Sequence, residues 1–165
     1  MVLVVGLVGA AGCGGNTTET VTVTVGEKTD VGAPEDVGMF GYVKKMTPKG
    51  DGYEMRFDPS LDLTGETANV AAAEDGKVAP GEPVPNDYYR VNESDRLYTY
   101  VVPKDARVTV LRDGVEASKV TVDELAQLVA GEDPFGKPLF EPITTGFWIL
   151  VHVDTVRSLD QQYRP

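Results

Sequence analysis

The chain has one cysteine, Cys13, and one histidine, His152, in 165 residues. A lone cysteine excludes an intramolecular disulfide, CxxC redox chemistry and a cysteine zinc site. A lone histidine removes histidine-rich metal sites and most histidine-based acid–base schemes. Basic residues are few: 15 Lys and Arg stand against 26 Asp and Glu, a net charge of −11. Residues 1–12 carry no charged side chain, so the acidity belongs to residues 13–165. An acidic surface repels phosphate backbones and anionic headgroups, which disfavours nucleic acid and electrostatic membrane binding. None of Ser60, Ser94, Ser118 and Ser158 sits in a Gly-x-Ser-x-Gly nucleophile turn. The EF-hand alternation of Asp and Asn with a distal Glu is also missing, and no internal repeat is visible.

Hydrophobic content of 41 % and charged content of 25 % suffice for one ordinary core. Eleven prolines and eighteen glycines point to many turns and few long helices. The apolar run Met1–Val8 and the small residues after it are too short for a bilayer span, which needs roughly 20 residues. They have the length of a signal-peptide apolar region with its cleavage site. No Lys or Arg precedes the run, which fits a start upstream of Met1. A buried strand would be followed by turn chemistry and more core; Gly14-Gly-Asn-Thr-Thr-Glu19 is instead a polar spacer.

Ala10, Ala11 and Gly12 directly before Cys13 resemble the bacterial lipobox, although Ala10 stands where a larger aliphatic residue is commoner. The resemblance implies cleavage before Cys13, acylation of its thiol, and an extracytoplasmic protein whose only membrane contact is that lipid. Expected boundaries are 1–12 for the signal, 13–36 for a lipidated, flexible Thr/Gly-rich tether, and 37–165 for a β-rich domain. The alternation Val21-Thr-Val-Thr-Val25 can read as a strand, but its small payload favours the tether.

Met39–Lys45 and Tyr53–Asp58 flank the turn Lys49-Gly-Asp-Gly52 and predict a hairpin that Asp58-Pro59 ends. Thr64 or Asp62 can cap a short helix over Glu66–Ala73, closed by Gly76. After a Gly/Pro loop at 75–87, strands are expected at Tyr88–Asn92, Leu97–Val102 and Arg107–Leu111. Thr121-Val-Asp-Glu124 is a capping box; its helix buries Val122, Leu125 and Leu128 and stops at Gly131. A loop at 131–146 precedes Phe147–Asp154, apolar on both faces and so a central strand, and then Val156–Tyr163. About seven short strands and two short helices predict a small, partly closed antiparallel barrel of the oligonucleotide/oligosaccharide-binding kind, which hides strand edges. An α+β sheet is the alternative.

Phe57-Asp-Pro59, Leu63-Thr-Gly65, Pro85-Asn-Asp-Tyr-Tyr89, Asp105-Ala-Arg-Val108 and Gln162-Tyr-Arg-Pro165 resemble uncharacterised bacterial secreted and lipoprotein domains. The resemblance covers roughly residues 38–165 and implies fold and export, but no assigned activity.

Among candidate sites, His152 shares a strand face with Trp148, Leu150 and Asp154, which makes a structural His–Asp pair the expected reading. Asp51, Asp58, Asp62 and Glu66, and then Asp87, Glu93 and Asp95, are explained by capping and turn roles. No metal site or cofactor is expected from them. Tyr88, Tyr89, Tyr98, Tyr100 and Trp148 fall on predicted strands, where aromatics pack across strands or form platforms for ligands. They and the 75–87 loop are the candidate binding surface. The expectation is a monomeric, non-catalytic module that binds an envelope protein or glycan. The other readings are a hydrolase using its acidic residues and a calcium-stabilised domain.

Overall fold

The computed structural model describes residues 34–164. Cys13, the signal-like run and the strand-like Val21–Val25 lie outside them. Strand β1 (Val37–Lys49) and strand β2 (Gly52–Thr64) form a long hairpin. Both strands exceed their predicted spans. Pro59 does not end β2: it pairs with Gly41 of β1. On the other edge of β2 it falls between the stretch paired with β3 (Tyr88–Val91) and the stretch paired with β4 (Tyr98–Pro103). A residue without an N–H is tolerated in such a gap in the ladder.

The fold is mainly β with two helices, as the patterning predicts. Five strands close a ring: β1 pairs with β2, β2 with β4, β4 with β8 (Thr155–Gln161), β8 with β7 (Phe147–His152), and β7 with β1. The closing seam corrects the wholly antiparallel expectation. Val101 of β4 pairs in parallel with Thr155, and its N–H donates to the Asp154 carbonyl at 2.9 Å. Strand β5 (Arg107–Leu111) then continues along the same edge of β8, also parallel. Its far edge carries β6 (Ala117–Val120), a strand the sequence reading missed. Four residues with a single β-branched side chain give too little periodicity to see.

Inside the ring, Met55, Phe57, Val102, Phe147, Ile149, Val151, Val156 and Leu159 are buried together. Helix α2 (Val122–Val129) adds Val122 and Leu125 to this core, each burial worth about 1.5–3 kcal/mol. Its predicted capping box is present: the Thr121 hydroxyl accepts from the Glu124 N–H, and the Thr121 N–H donates to the Glu124 carboxylate. Helix α1 (Gly65–Glu74) begins at the predicted place, but Thr64 makes no side-chain capping bond. Its Ala68 and Ala72 face Val84, Leu63 and Tyr89 in a small second core.

Strand β7 lies between β1 and β8, as a central strand should. Its outer face is not covered, however: Trp148 is 42 % exposed and Leu150 is also exposed. The strand ends at His152, and Val153 turns the chain with φ of 56°. That conformation costs a β-branched residue about 1–2 kcal/mol. Val153→Asn should therefore raise stability by about 1 kcal/mol, read as a higher melting temperature. Gly41 has the opposite constraint. A methyl group there would stand 2.2 Å from the Asp58 carbonyl oxygen and 2.7 Å from the Phe57 ring. Gly41→Ala should cost several kcal/mol, on the order of 3 or more, in chemical denaturation.

Candidate functional site

The outward side of β1, β2 and β3 places Phe40 opposite Ser60, Asp62 opposite Arg90, and Thr64 opposite Tyr88. On the other flank Trp148 of β7 stands opposite Phe40. At the centre of this face lies Arg90, with side-chain exposure of only 9 %. Its Nε donates to Asp62 Oδ1 at 2.8 Å, and its Nη1 donates to the Thr145 carbonyl at 2.8 Å. The guanidinium carbon sits 4.5 Å from the Phe40 ring centroid and 5.3 Å from that of Tyr88. A buried cation needs such an acceptor set, because desolvation without partners costs several kcal/mol.

The 142–146 segment lies over Phe40. Gly146 takes φ of 99°, and a Cβ there would meet Phe40 Cζ at 2.4 Å. This segment is latched by buried Gln161. Its Nε2 donates to the Glu141 and Pro142 carbonyls and to Thr145 Oγ1, while its Oε1 accepts from the Leu111 N–H. Beyond Gln161 the chain crosses the face. The Gln162 N–H donates to the Gly146 carbonyl, and the Trp148 Nε1–H donates to Gln162 Oε1 at 3.0 Å. Arg164 Nε donates to the Tyr88 hydroxyl at 3.0 Å, which raises the Arg164 pKa. Tyr163 stacks on Phe140 with centroids 6.3 Å apart. A cleft of about 340 Å³ lies between Tyr88 and Tyr163, bordered by Thr64, Asp87, Arg90 and Gln162.

The five predicted aromatics therefore do not form one surface. Tyr88 and Trp148 meet around Phe40, Arg90 and Gln162. Tyr98 and Tyr100 share a face, ring to ring at 6.3 Å and 84°, but at the mouth of the ring. Tyr100 is 8 % exposed and belongs to the core, its hydroxyl on Met39 Sδ. Tyr89 points to α1, with its hydroxyl donating to Asp75. His152 departs from its expected pairing: Nδ1 lies 2.9 Å from Asp36 Oδ1, and Asp154 instead offers its carbonyl to the ring seam. The acidic residues are dispersed. Asp58 takes Lys44 and Asn92, Asp62 takes Arg90, and Asp87 reaches the cleft. Among the described residues no group of three or more His, Cys, Asp or Glu is placed to hold a metal ion. Ser60 is buried and donates to the Val91 carbonyl.

Sequence reasoning passed over Phe40, Arg90 and Gln162. Part of the signal was present as the alternation Tyr88-x-Arg90, which places an aromatic and a cationic side chain on one side of β3, and Gln162 lies just past the end of β8. In comparisons with known proteins, no family model, curated protein or solved structure matches the chain.

Three tyrosines carry raised pKa values. Tyr53 and Tyr89 are held up by hydrogen bonds to Asp123 and Asp75, and Tyr100 mainly by burial. A folded-state pKa above the unfolded value of 10.0 gives stability that is complete below that pH and lost above it. Melting temperature should thus fall as pH rises past about 10, and Tyr100→Phe should lessen the fall. An identical alkaline profile for the variant would show that Tyr100 contributes nothing to it.

Proposed function

We propose that the chain is an exported lipoprotein, held at the membrane by an acyl group on Cys13. Its folded part is a non-catalytic module of the cell envelope that binds an envelope glycan or protein through the Tyr88–Trp148 face. The observation that carries this reading is the way aromatic rings are fixed there. Buried Arg90 supports Phe40 and Tyr88 from below, while Trp148 and Tyr163 remain open to solvent. Rings set in place before a ligand arrives lose little side-chain entropy on binding. Proteins also rarely keep large apolar side chains clustered in the open without a use for them.

An export address gives such a face its setting. Small residues before a lone cysteine, followed by a polar spacer, match the logic of an anchored outward-facing body. No helix among the described residues is long and apolar enough to cross a membrane; the proposed attachment, the lipid on Cys13, rests on the small residues before that cysteine. The net charge of −11 favours neutral or basic partners over polyanions. Of the two carboxylates at the cleft, Asp62 is committed to Arg90, which weighs against their acting as an acid–base pair.

Two measurements test this. Replacing Cys13 by Ser should abolish acyl-chain labelling and move the protein out of the membrane fraction; unchanged partitioning would refute the anchor. The full chain should retain an envelope component that the Trp148→Ala chain retains at least about tenfold less well. Equal retention by both would remove this face from the binding reading.

A further inference from the structure

The cleft between Tyr88 and Tyr163 has polar groups that the fold leaves unused. Thr64 stands at the N-cap of α1, yet its side chain makes no capping bond. Asp87 is held at φ of 58° beside Asn86, and its carboxylate makes no hydrogen bond or ion pair with another described side chain. Arg90 commits Nε and one Nη1 N–H to the protein, and the residue also lines the cleft, with guanidinium N–H groups to spare. A hydroxyl, a carboxylate and a guanidinium edge thus border one space with two aromatic rings.

Those rings are braced from behind. Phe140 backs one face of Tyr163, and Arg90 lies over Tyr88, whose hydroxyl is pinned by Arg164. The volume of about 340 Å³ is at the lower end for small-ligand clefts, roughly 300–1,000 Å³. Each feature narrows the ligand. Flat rings take a flat apolar surface, and the carboxylate and hydroxyl take hydroxyl donors and acceptors. A strongly anionic ligand meets Asp87, the Asp62–Arg90 pair whose cation is already neutralised, and the overall negative charge.

We infer that this cleft is a subsite for one unit of a neutral saccharide. A pyranose offers an apolar C–H face to Tyr163 and Tyr88, while its hydroxyls donate to Asp87, exchange hydrogen bonds with Thr64 and Gln162, and accept from the Arg90 guanidinium. This rests on the binding reading given above and specifies the class of ligand.

The chain has a single tryptophan, and the Trp148 indole N–H is bonded to Gln162, which also borders the cleft. Occupancy of the cleft is therefore readable in Trp148 fluorescence. The full chain is titrated with chitotetraose and cellotetraose as neutral probes and with tetragalacturonate as the anionic counterpart, each to millimolar concentration. A saturable emission change with a neutral probe, weakened about tenfold or more in both Tyr163→Ala and Asp87→Asn chains of unaltered melting temperature, supports the assignment. Three results overturn it: no saturable change with either neutral probe, tighter binding of tetragalacturonate, or affinity unaffected by both substitutions. If the neutral probes fail while the Trp148-dependent envelope retention persists, the saccharide assignment falls alone. If both fail, the binding reading falls with it.

Discussion

One buried guanidinium organises the outward face of this protein. Arg90 joins β2 through Asp62, the 142–146 segment through the Thr145 carbonyl, β1 through the Phe40 ring, and its own strand through Tyr88. An Arg fits this role where a Lys would not, because a planar fork can serve two acceptors in one plane while its faces contact aromatic rings. Removing one partner from such a buried pair strands the other, at roughly 3–5 kcal/mol. The arrangement is thus poorly tolerant of change at its centre and open at its rim, where Trp148 and Tyr163 meet solvent.

The ring beneath supplies what Arg90 does not: a stiff base. Its apolar interior holds the strands, and α2 covers part of it through Val122 and Leu125. Closure depends on a short seam, a single parallel pair at Val101 and Thr155 reinforced by β5 farther along β8. The pairing of β3 with the end of β2 adds a platform outside the ring, and Gln161 ties the covering segment to β5 from the buried side. The candidate cleft lies where these additions meet the C-terminal tail.

How far this was legible in the sequence varies by element. The capping box at Thr121 and Glu124 was readable because it is a local pattern whose partners lie three residues apart. The alternation grouped Trp148, Leu150 and His152 on one side of β7, but with both sides apolar it did not show that this side is open to solvent. The continuation of β2 through Pro59 was not readable, since it depends on which neighbour is absent at that point of the edge. Neither was the parallel seam, which couples β4 to β8 over more than fifty residues of sequence. At the site, Tyr88 and Trp148 were picked out by type. The grouping of Tyr100 with them failed, because a strand residue's type does not say whether its face lies inside a closed ring. Arg90 was passed over because its meaning comes only from the acceptors that surround it.

Hydrogen–deuterium exchange on the Arg90→Lys chain tests the central role of that residue most directly. Faster exchange should be confined to residues 88–91, 142–146 and the Gln162 amide that bonds Gly146, with β7 and the inward half of β2 as protected as before. Unchanged protection at those segments, or an even loss across the ring, would contradict it.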